Sequence, residues 1–494
     1  METLGSYMKK AFQTYPDKIA VKYQNQTITY DQLRIRSCQL ANGIKSYHLK
    51  KGDRVAVLMS NRSEHIESDC AAALGGFIKV PLDYRLHPKE LTYIIENSGA
   101  KLLIGEKEWI HKIDLDIPKL EVGDKYECWL QRQSDDYPKS EAVQEDDVFV
   151  IMYTSGTTGR PKGGMLSHRN MIAGALSLAL ACEVMTEDVI GHAASLTHGS
   201  NFLSHIAWIF GLTQVVFNKF DPKEFIDDLE REKVSVLFLV PAMIDLMIQD
   251  PDFDPKKLGH VKSINMAGAP IAAAKLQKAL ELLGPKLIQT YGQVEAPMVI
   301  TTMPRHELGK RLESCGIAGP FVETKVVDEN GKKAAPGELG EVVCRGSLVM
   351  KGYWSNPGAT LDTIKNGWLH TGDVGWMDEQ GYLHLVDRKK DVVISGGMNI
   401  YPREIEEVLN KHDGVKETCV IGVPDDKWGE RLIAYIVGNG TCEVTEEELM
   451  KLCSRHLAAF KKPKELYIVD RLPKSPYGKI LKRELRKLYG TVPQ

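Results

Sequence analysis

Short apolar runs alternate with segments of helical period from the N-terminus to about residue 380, and a chain patterned this way buries its surface as helices layered on largely buried sheets. Asp31 is placed to cap a helix carrying Leu33, Ile35, Leu40 and Ile44, and Asp53-Arg54-Val55-Ala56-Val57-Leu58-Met59 then reads as a strand. The same pattern predicts a helix over 64–75, a strand over 77–82, a helix over 225–232 and a strand over 234–240. No internal repeat or low-complexity tract interrupts it. At 494 residues the chain exceeds one ordinary domain, so a large core domain and at least one smaller one are expected.

The alternation breaks at Asp387-Arg388-Lys389-Lys390-Asp391, a run of charges between two apolar segments. Such a run is either a solvated turn or a domain linker. The last hundred or so residues have a pattern of their own. Pro402 opens a helix with Ile405, Val408 and Leu409 on one side, Thr445 and Glu448 form a capping box, and 418–423 and 432–437 are strand-like. The expected fold is therefore α/β: a large N-terminal domain of layered α/β subdomains over 1–386, a connection at 387–390, and a small α+β C-terminal domain over 391–494.

Charge and cysteine usage exclude several functions. With 63 Lys and Arg against 66 Asp and Glu, no bulk charge draws the chain to nucleic acid or to an anionic membrane. Nine cysteines, scattered without metal-type pairs, fit reduced thiols in a cytoplasmic protein and argue against zinc. The longest apolar run, 234–240, ends at Pro241, far short of a membrane span. The first twelve residues hold no apolar signal core, and the last four match no targeting signal, so the cytoplasm is the expected location.

The chemistry concentrates in Tyr153-Thr154-Ser155-Gly156-Thr157-Thr158-Gly159-Arg160-Pro161-Lys162-Gly163, directly after the apolar run 148–151. Glycines let backbone N–H groups face an anion, hydroxyls add donors, and the lysine balances charge, so the expected ligand is a polyphosphate. An ordinary P-loop is excluded, because Lys162 follows Pro161 and precedes two glycines rather than Ser or Thr and a helix. A flexible linker would have no reason to follow a buried strand or to end in a Pro-Lys-Gly turn.

This loop resembles the signature of the adenylate-forming superfamily, which includes acyl-CoA synthetases, luciferases and peptide-synthetase adenylation domains. The resemblance recurs in order along most of the chain: 29–33, 52–55 and 80–82, then Ala267-Gly268-Ala269-Pro270, Tyr291-Gly292-Gln293-Val294-Glu295, 337–341, Thr371-Gly372-Asp373, Asp387-Arg388, Ser395-Gly396-Gly397 and Pro476-Tyr477-Gly478-Lys479. It implies that a carboxylate attacks the α-phosphorus of ATP, pyrophosphate leaves, and a thiol then takes the acyl group from the adenylate. By this resemblance Thr154, Ser155, Gly156, Thr157, Thr158, Gly159 and Lys162 hold the phosphates, and Glu295 with Thr154 helps bind Mg²⁺ through oxygen. Gly268, Ala269, Pro270, Tyr291 and Gly292 take the adenine, although Tyr291 also reads as core filler. Asp373 takes the ribose hydroxyls, and Arg388 offers a forked donor near ribose and phosphate.

Further roles are implied by the same likeness. Lys479, entering from a mobile small domain, bridges carboxylate and nucleotide; the alternative is a surface lysine among Lys474, Lys482 and Lys487. Lys390 is the implied hinge. Ser395, Gly396 and Gly397 are the implied thiol-access segment, open because side chains are missing.

Val294 stands where the family commonly has threonine, and Thr290 or a water is the available substitute for that hydroxyl. His198, with Ala267 and Gly292, is expected to line the acid pocket; a core histidine is the other reading. Asn201 replaces the glycine common three residues after the histidine. No acidic residue lies between Gly191 and Asn218, which disfavours an α-amino acid substrate. The resemblance therefore implies an ATP- and Mg²⁺-dependent acyl-CoA synthetase with CoA as co-substrate, a monomer or homodimer, acting on a medium-chain or aromatic monocarboxylate. A stand-alone enzyme loading a carrier protein is the alternative acceptor reading. A non-catalytic nucleotide-binding homologue is a third reading, opposed by the full set of charged site residues.

Overall fold

Runs rich in Val, Ile and Leu build the sheets of the computed structural model, which describes residues 2–139, 141–154, 160–396, 398–440, 442, 444–474 and 479–489. A nine-stranded sheet runs in spatial order Ile317–Ala318, Ala296–Met303, Leu287–Gln293, Ser263–Met266, Val236–Leu239, Val189–His192, Thr213–Val216, Ile19–Tyr23, Gln26–Thr29. Its interior pairs are parallel and its edges antiparallel. A six-stranded sheet runs Lys119–Val122, Leu102–Glu106, Arg54–Leu58, Ile78–Leu82, Val148–Thr154, Lys162–Ser167, parallel up to the last, antiparallel pair. Helices Tyr30–Ser46, Ser63–Gly75, His168–Ala181 and Asn201–Phe210 share one apolar core with strands of both sheets. Ser63–Gly75 is buried along its whole length, as a helix enclosed on every side must be.

A smaller antiparallel sheet comes next, from Val322–Val327, Gly340–Gly346, Trp368–Met377, Ile364–Lys365 and Leu383–Arg388. The last sheet is separate: Met398–Ile400, Val393–Ser395, Gly429–Gly438, Val415–Asp425 and Glu465–Ile468, with its own core involving helices Pro402–Leu409 and Glu446–His456. The molecule is thus mixed α/β with a large N-terminal and a smaller C-terminal domain. Among the described residues no helix is long and apolar enough to cross a membrane.

Element ends differ from the sequence reading where capping decides them. The helix expected to be capped by Asp31 begins at Tyr30, with Thr29 as cap: the Thr29 Oγ1 accepts from the Gln32 N–H at 3.2 Å, and Gln32 Oε1 accepts from the Thr29 N–H at 2.8 Å. That reciprocal box satisfies two end donors, while Asp31 in the first turn pairs with Arg34 at 2.8 Å. The helix expected over 225–232 starts at Pro222, because Asp221 caps it and proline suits the first position. Thr29→Ala is expected to destabilise the large domain by about 1 kcal/mol, read as a lower urea midpoint for its unfolding.

Candidate active site

Strand pairing fixes the two ends of the loop rich in glycine and hydroxyls. Thr154, ending one strand, pairs with Lys162, opening the next, so the first hydroxyl and the lysine of the cradle stand side by side. Ser155, Gly156, Thr157, Thr158 and Gly159 lie outside the described residues. The Lys162 ammonium lies over the Tyr353 ring, 5.2 Å from its centroid, and the Tyr353 hydroxyl donates to Glu295 at 2.6 Å. Backbone contacts fix this arrangement: the Trp354 N–H donates to Gly163 at 2.7 Å and the Met350 N–H to the Glu295 carbonyl at 2.8 Å. A single tyrosine therefore joins the cradle lysine to Glu295.

A second cluster forms where the antiparallel sheet abuts the nine-stranded one. Asp373 and Arg388 are cross-strand partners, and Arg388 Nε donates to Asp373 at 2.6 Å while the Tyr291 hydroxyl donates to its other oxygen at 2.5 Å. Burial pushes the Asp373 carboxyl above the usual carboxylate range, against the pull of Arg388 and Tyr291. Burial and the adjacent Asp373 charge also push the Tyr291 phenol well up. Arg388 is held firmly charged, burial being outweighed by Asp373, Tyr291 and Glu295.

Ala267, Gly268, Ala269 and Pro270 follow the carboxyl end of Ser263–Met266, beside the parallel strand that carries Tyr291 and Gly292. Carboxyl ends of parallel strands are where open α/β sheets bind ligands. Gly268 has φ of +89°. At Gly292 a Cβ would come within 2.7 Å of the Met298 nitrogen, so no side chain fits. The Thr290 hydroxyl donates to Asn265 Oδ1 at 3.0 Å inside the sheet.

Lys479 completes the cluster from the small domain. Its side chain is exposed yet stands within electrostatic reach of Arg388, Asp373 and Glu295. Burial and the Arg388 charge lower its pKa, opposed by the two carboxylates. Pro476, Tyr477 and Gly478 lie outside the described residues. Lys390 lies in the 3₁₀ turn Lys389–Asp391, its pKa lowered to about 8 chiefly by burial. Ser395 and Gly396 close the hairpin between Val393–Ser395 and Met398–Ile400; Gly396 has φ of +58°, and a Cβ there would meet the Trp428 ring at 2.9 Å. Gly397 lies outside the described residues.

His198 lines a recess with Pro81, Asp83, Met152, Tyr153 and Thr197. Its Nδ1 lies 2.5 Å from the Thr197 hydroxyl, and burial pushes its pKa to about 4, so the ring is neutral at pH 7. The Lys479 charge adds a smaller contribution to that shift, so Lys479 stands within electrostatic reach of His198. Sequence reasoning missed Tyr353: the only signal was an aromatic pair after Gly352, and nothing in the chain tied it to Glu295, 58 residues away.

Comparison with known proteins identifies the family. A family model described as AMP-binding enzyme matches residues 8–354, and one described as AMP-binding enzyme C-terminal domain matches 404–479. The chain belongs to the AMP-binding enzyme family. It is 34% identical over 496 residues to a feruloyl-CoA synthase of Amycolatopsis sp, covering 99% of each protein. It is also 33% identical over 501 residues to a fatty acid–[acyl-carrier-protein] ligase, ScoC, of Streptomyces coeruleorubidus, covering 98% of this chain and 96% of the relative. The solved o-succinylbenzoate CoA synthetase of Bacillus subtilis, in complex with the acyl-adenylate intermediate OSB-AMP, superposes with a TM-score of 0.90 at 30% identity, covering 97% of each chain. This AMP-binding enzyme is an AMP-forming acyl-CoA synthetase: it activates a carboxylic acid with ATP and Mg²⁺ to an acyl-adenylate, releases pyrophosphate, and passes the acyl group to CoA with release of AMP.

Proposed function

We propose that the two clusters and Lys479 form the adenylating arrangement of this synthetase, acting on a medium-chain or aromatic monocarboxylate. The observation that carries it is the convergence of Lys479 with Asp373, Arg388 and Glu295, groups drawn from both domains. Thr154, Lys162 and the loop between them hold the ATP phosphates; Gly268, Ala269, Pro270, Tyr291 and Gly292 bound the adenine; Asp373, oriented by Tyr291 and Arg388, takes the ribose hydroxyls. Lys479 brings the acid carboxylate and the α-phosphate together and stabilises the charge that develops between them. His198, neutral at pH 7, bounds the acid together with Ala267 and Gly292. Lys390, in the 387–390 connection, is the hinge about which the 391–494 domain turns to replace Lys479 with the Ser395-Gly396-Gly397 segment for thiol entry.

The residues fit Mg²⁺. Among the described residues no group of three or more His, Cys, Asp or Glu could enclose a metal, whereas Glu295 and the Thr154 hydroxyl suit a hard cation whose other ligands are phosphate oxygens and waters. When bound, that cation spreads the negative charge of the polyphosphate. Tyr353 holds the Glu295 carboxylate in place, so Tyr353→Phe is expected to raise the Mg²⁺ concentration needed for half-maximal ATP binding by about tenfold, measured by calorimetry and by pyrophosphate release. An unchanged Mg²⁺ dependence would remove Tyr353 from this role.

The balanced charge and free cysteines support a cytoplasmic location. The deciding experiment is pyrophosphate release over a panel of carboxylic acids with and without CoA. Release with CoA consumption supports the proposal; no release with any acid defeats it.

A further inference from the structure

The chain on either side of Lys390 is fastened. Before it, Arg388 Nε donates to Asp373 at 2.6 Å and Lys389 pairs with Glu341 at 3.1 Å, both partners lying in the large domain. After it, Asp391 pairs with Arg486 of the small domain at 3.6 Å. Each of these ties stays on its own side of Lys390. Asp387 differs. Its strand belongs to the large domain, where it stands opposite Val374, and one of its carboxylate oxygens accepts from the Arg388 N–H at 2.7 Å. The other oxygen accepts from the Arg403 N–H at 3.0 Å, across Lys390 and in the small domain.

Arg403 is the second residue of helix Pro402–Leu409, whose start is incomplete by itself. Tyr401, in the cap position, makes no side-chain bond to the helix, and Pro402 brings no N–H. The Glu404 N–H is met by the Tyr401 carbonyl at 3.1 Å. The Arg403 N–H is met from outside, by the Asp387 carboxylate, whose charge is also favoured at the positive end of a helix. Most capped helices carry the capping side chain in the residue that precedes them. Here cap and helix lie on opposite sides of Lys390, so a rotation of the small domain about that residue parts them.

The same helix anchors the segment that carries Lys479. Glu406, about one turn on from Arg403, accepts from the Val420 N–H at 2.8 Å and pairs with Lys482 at 3.5 Å, the two paired side chains each 19% exposed. Against burial, the charges of Glu406 and Asp387 hold Lys482 firmly protonated. Lys482 opens the helix Lys482–Tyr489 three residues after Lys479, and Ile480 bridges to Lys474 in between. Short links therefore run from Asp387 through helix Pro402–Leu409, Glu406 and Lys482 to Lys479. Farther from the connection Lys275, paired with Asp245 at 3.1 Å, donates to the Lys416 carbonyl of the small domain at 3.3 Å, so losing Asp387 loosens this orientation without abolishing it.

Resting on the proposed rotation about Lys390, we propose that Asp387 is a positioning residue for adenylation: by capping helix Pro402–Leu409 from the large domain it holds the small domain where Lys479 faces Asp373, and it lets go for the thiol step. The test is single-turnover measurement of each half-reaction, using the acid of the panel that releases pyrophosphate fastest and, for the second step, its supplied acyl-adenylate. Asp387→Ala is expected to slow adenylation at saturating ATP and acid by about fivefold, the usual scale for a lost helix cap, while thioester formation runs at least as fast as in the unaltered enzyme. Asp387→Asn keeps an oxygen acceptor and is expected to restore most of the adenylation rate. Thioester formation also checks the fold, because Ser395 and Gly396 stand in the same small domain and a frayed domain would slow both steps. Unchanged adenylation by Asp387→Ala, or equal loss of both steps, would overturn the proposal. Failure of the rotation reading is a separate result, seen as an unaffected second step in Lys390→Pro with Asp387 in place.

Discussion

Replacing Lys479 with alanine is expected to lower pyrophosphate release by about 10²–10³-fold, the usual loss for one preorganised group facing developing charge. Thioester formation from a supplied acyl-adenylate should remain largely intact. The asymmetry follows from geometry: Lys479 belongs to the small domain but stands with Asp373, Arg388 and Glu295 of the large one, so it acts only while the domains are in this orientation. Once the adenylate exists, the two anions it brings together are already joined. Equal loss of both half-reactions would refute the assignment. A pH effect should accompany it. In the proposed role Lys479 works as a cation, and its lowered pKa means that charge is lost at a lower pH than for an ordinary lysine, so adenylation should decline on the alkaline side before thioester formation does.

Lys390→Pro is expected to have the opposite selectivity, impairing thioester formation by an order of magnitude or more while sparing adenylation. Lys390 lies in the 3₁₀ turn Lys389–Asp391, and the φ of such a turn, about −50 to −70°, is close to the φ that proline imposes. Proline therefore suits the orientation that presents Lys479. In the proposed rotation of the small domain a few connection residues change φ and ψ, and a fixed φ at the proposed pivot obstructs it. Single-turnover measurement of each half-reaction separates the steps. An unaffected second step would move the pivot elsewhere in 387–390.

The α/β class and most elements were legible because burial imposes periodicity: a strand buried on both faces is a continuous apolar run, as Val236–Leu239 is, and a capped helix announces its start, as Pro402 does. Ends were less legible where two candidate caps adjoined. Thr29 displaced Asp31 because only Thr29 has a glutamine three residues on. In the site, ordered motifs pointed to Glu295, Asp373, Arg388 and Lys479. The partners that orient them did not announce themselves, since Tyr353 and Tyr291 meet Glu295 and Asp373 across 58 and 82 residues of chain. Lys79 shows the same limit: it interrupts an apolar strand, and nothing local distinguishes a solvated edge from a lysine buried against Asp69.

By itself, then, the chain determined what is chemically local: the hydroxyl, glycine and lysine loop that receives phosphate, the alternation that makes layered sheets, and the charged break between two separately patterned parts. Only the tertiary structure decided which groups come together: that Lys479 stands within electrostatic reach of Asp373, and that Lys79 is buried against Asp69. Backbone period and capping act between near neighbours and are written along the sequence. Pairing, desolvation and pKa depend on distances between residues far apart in the chain, and folding alone sets those.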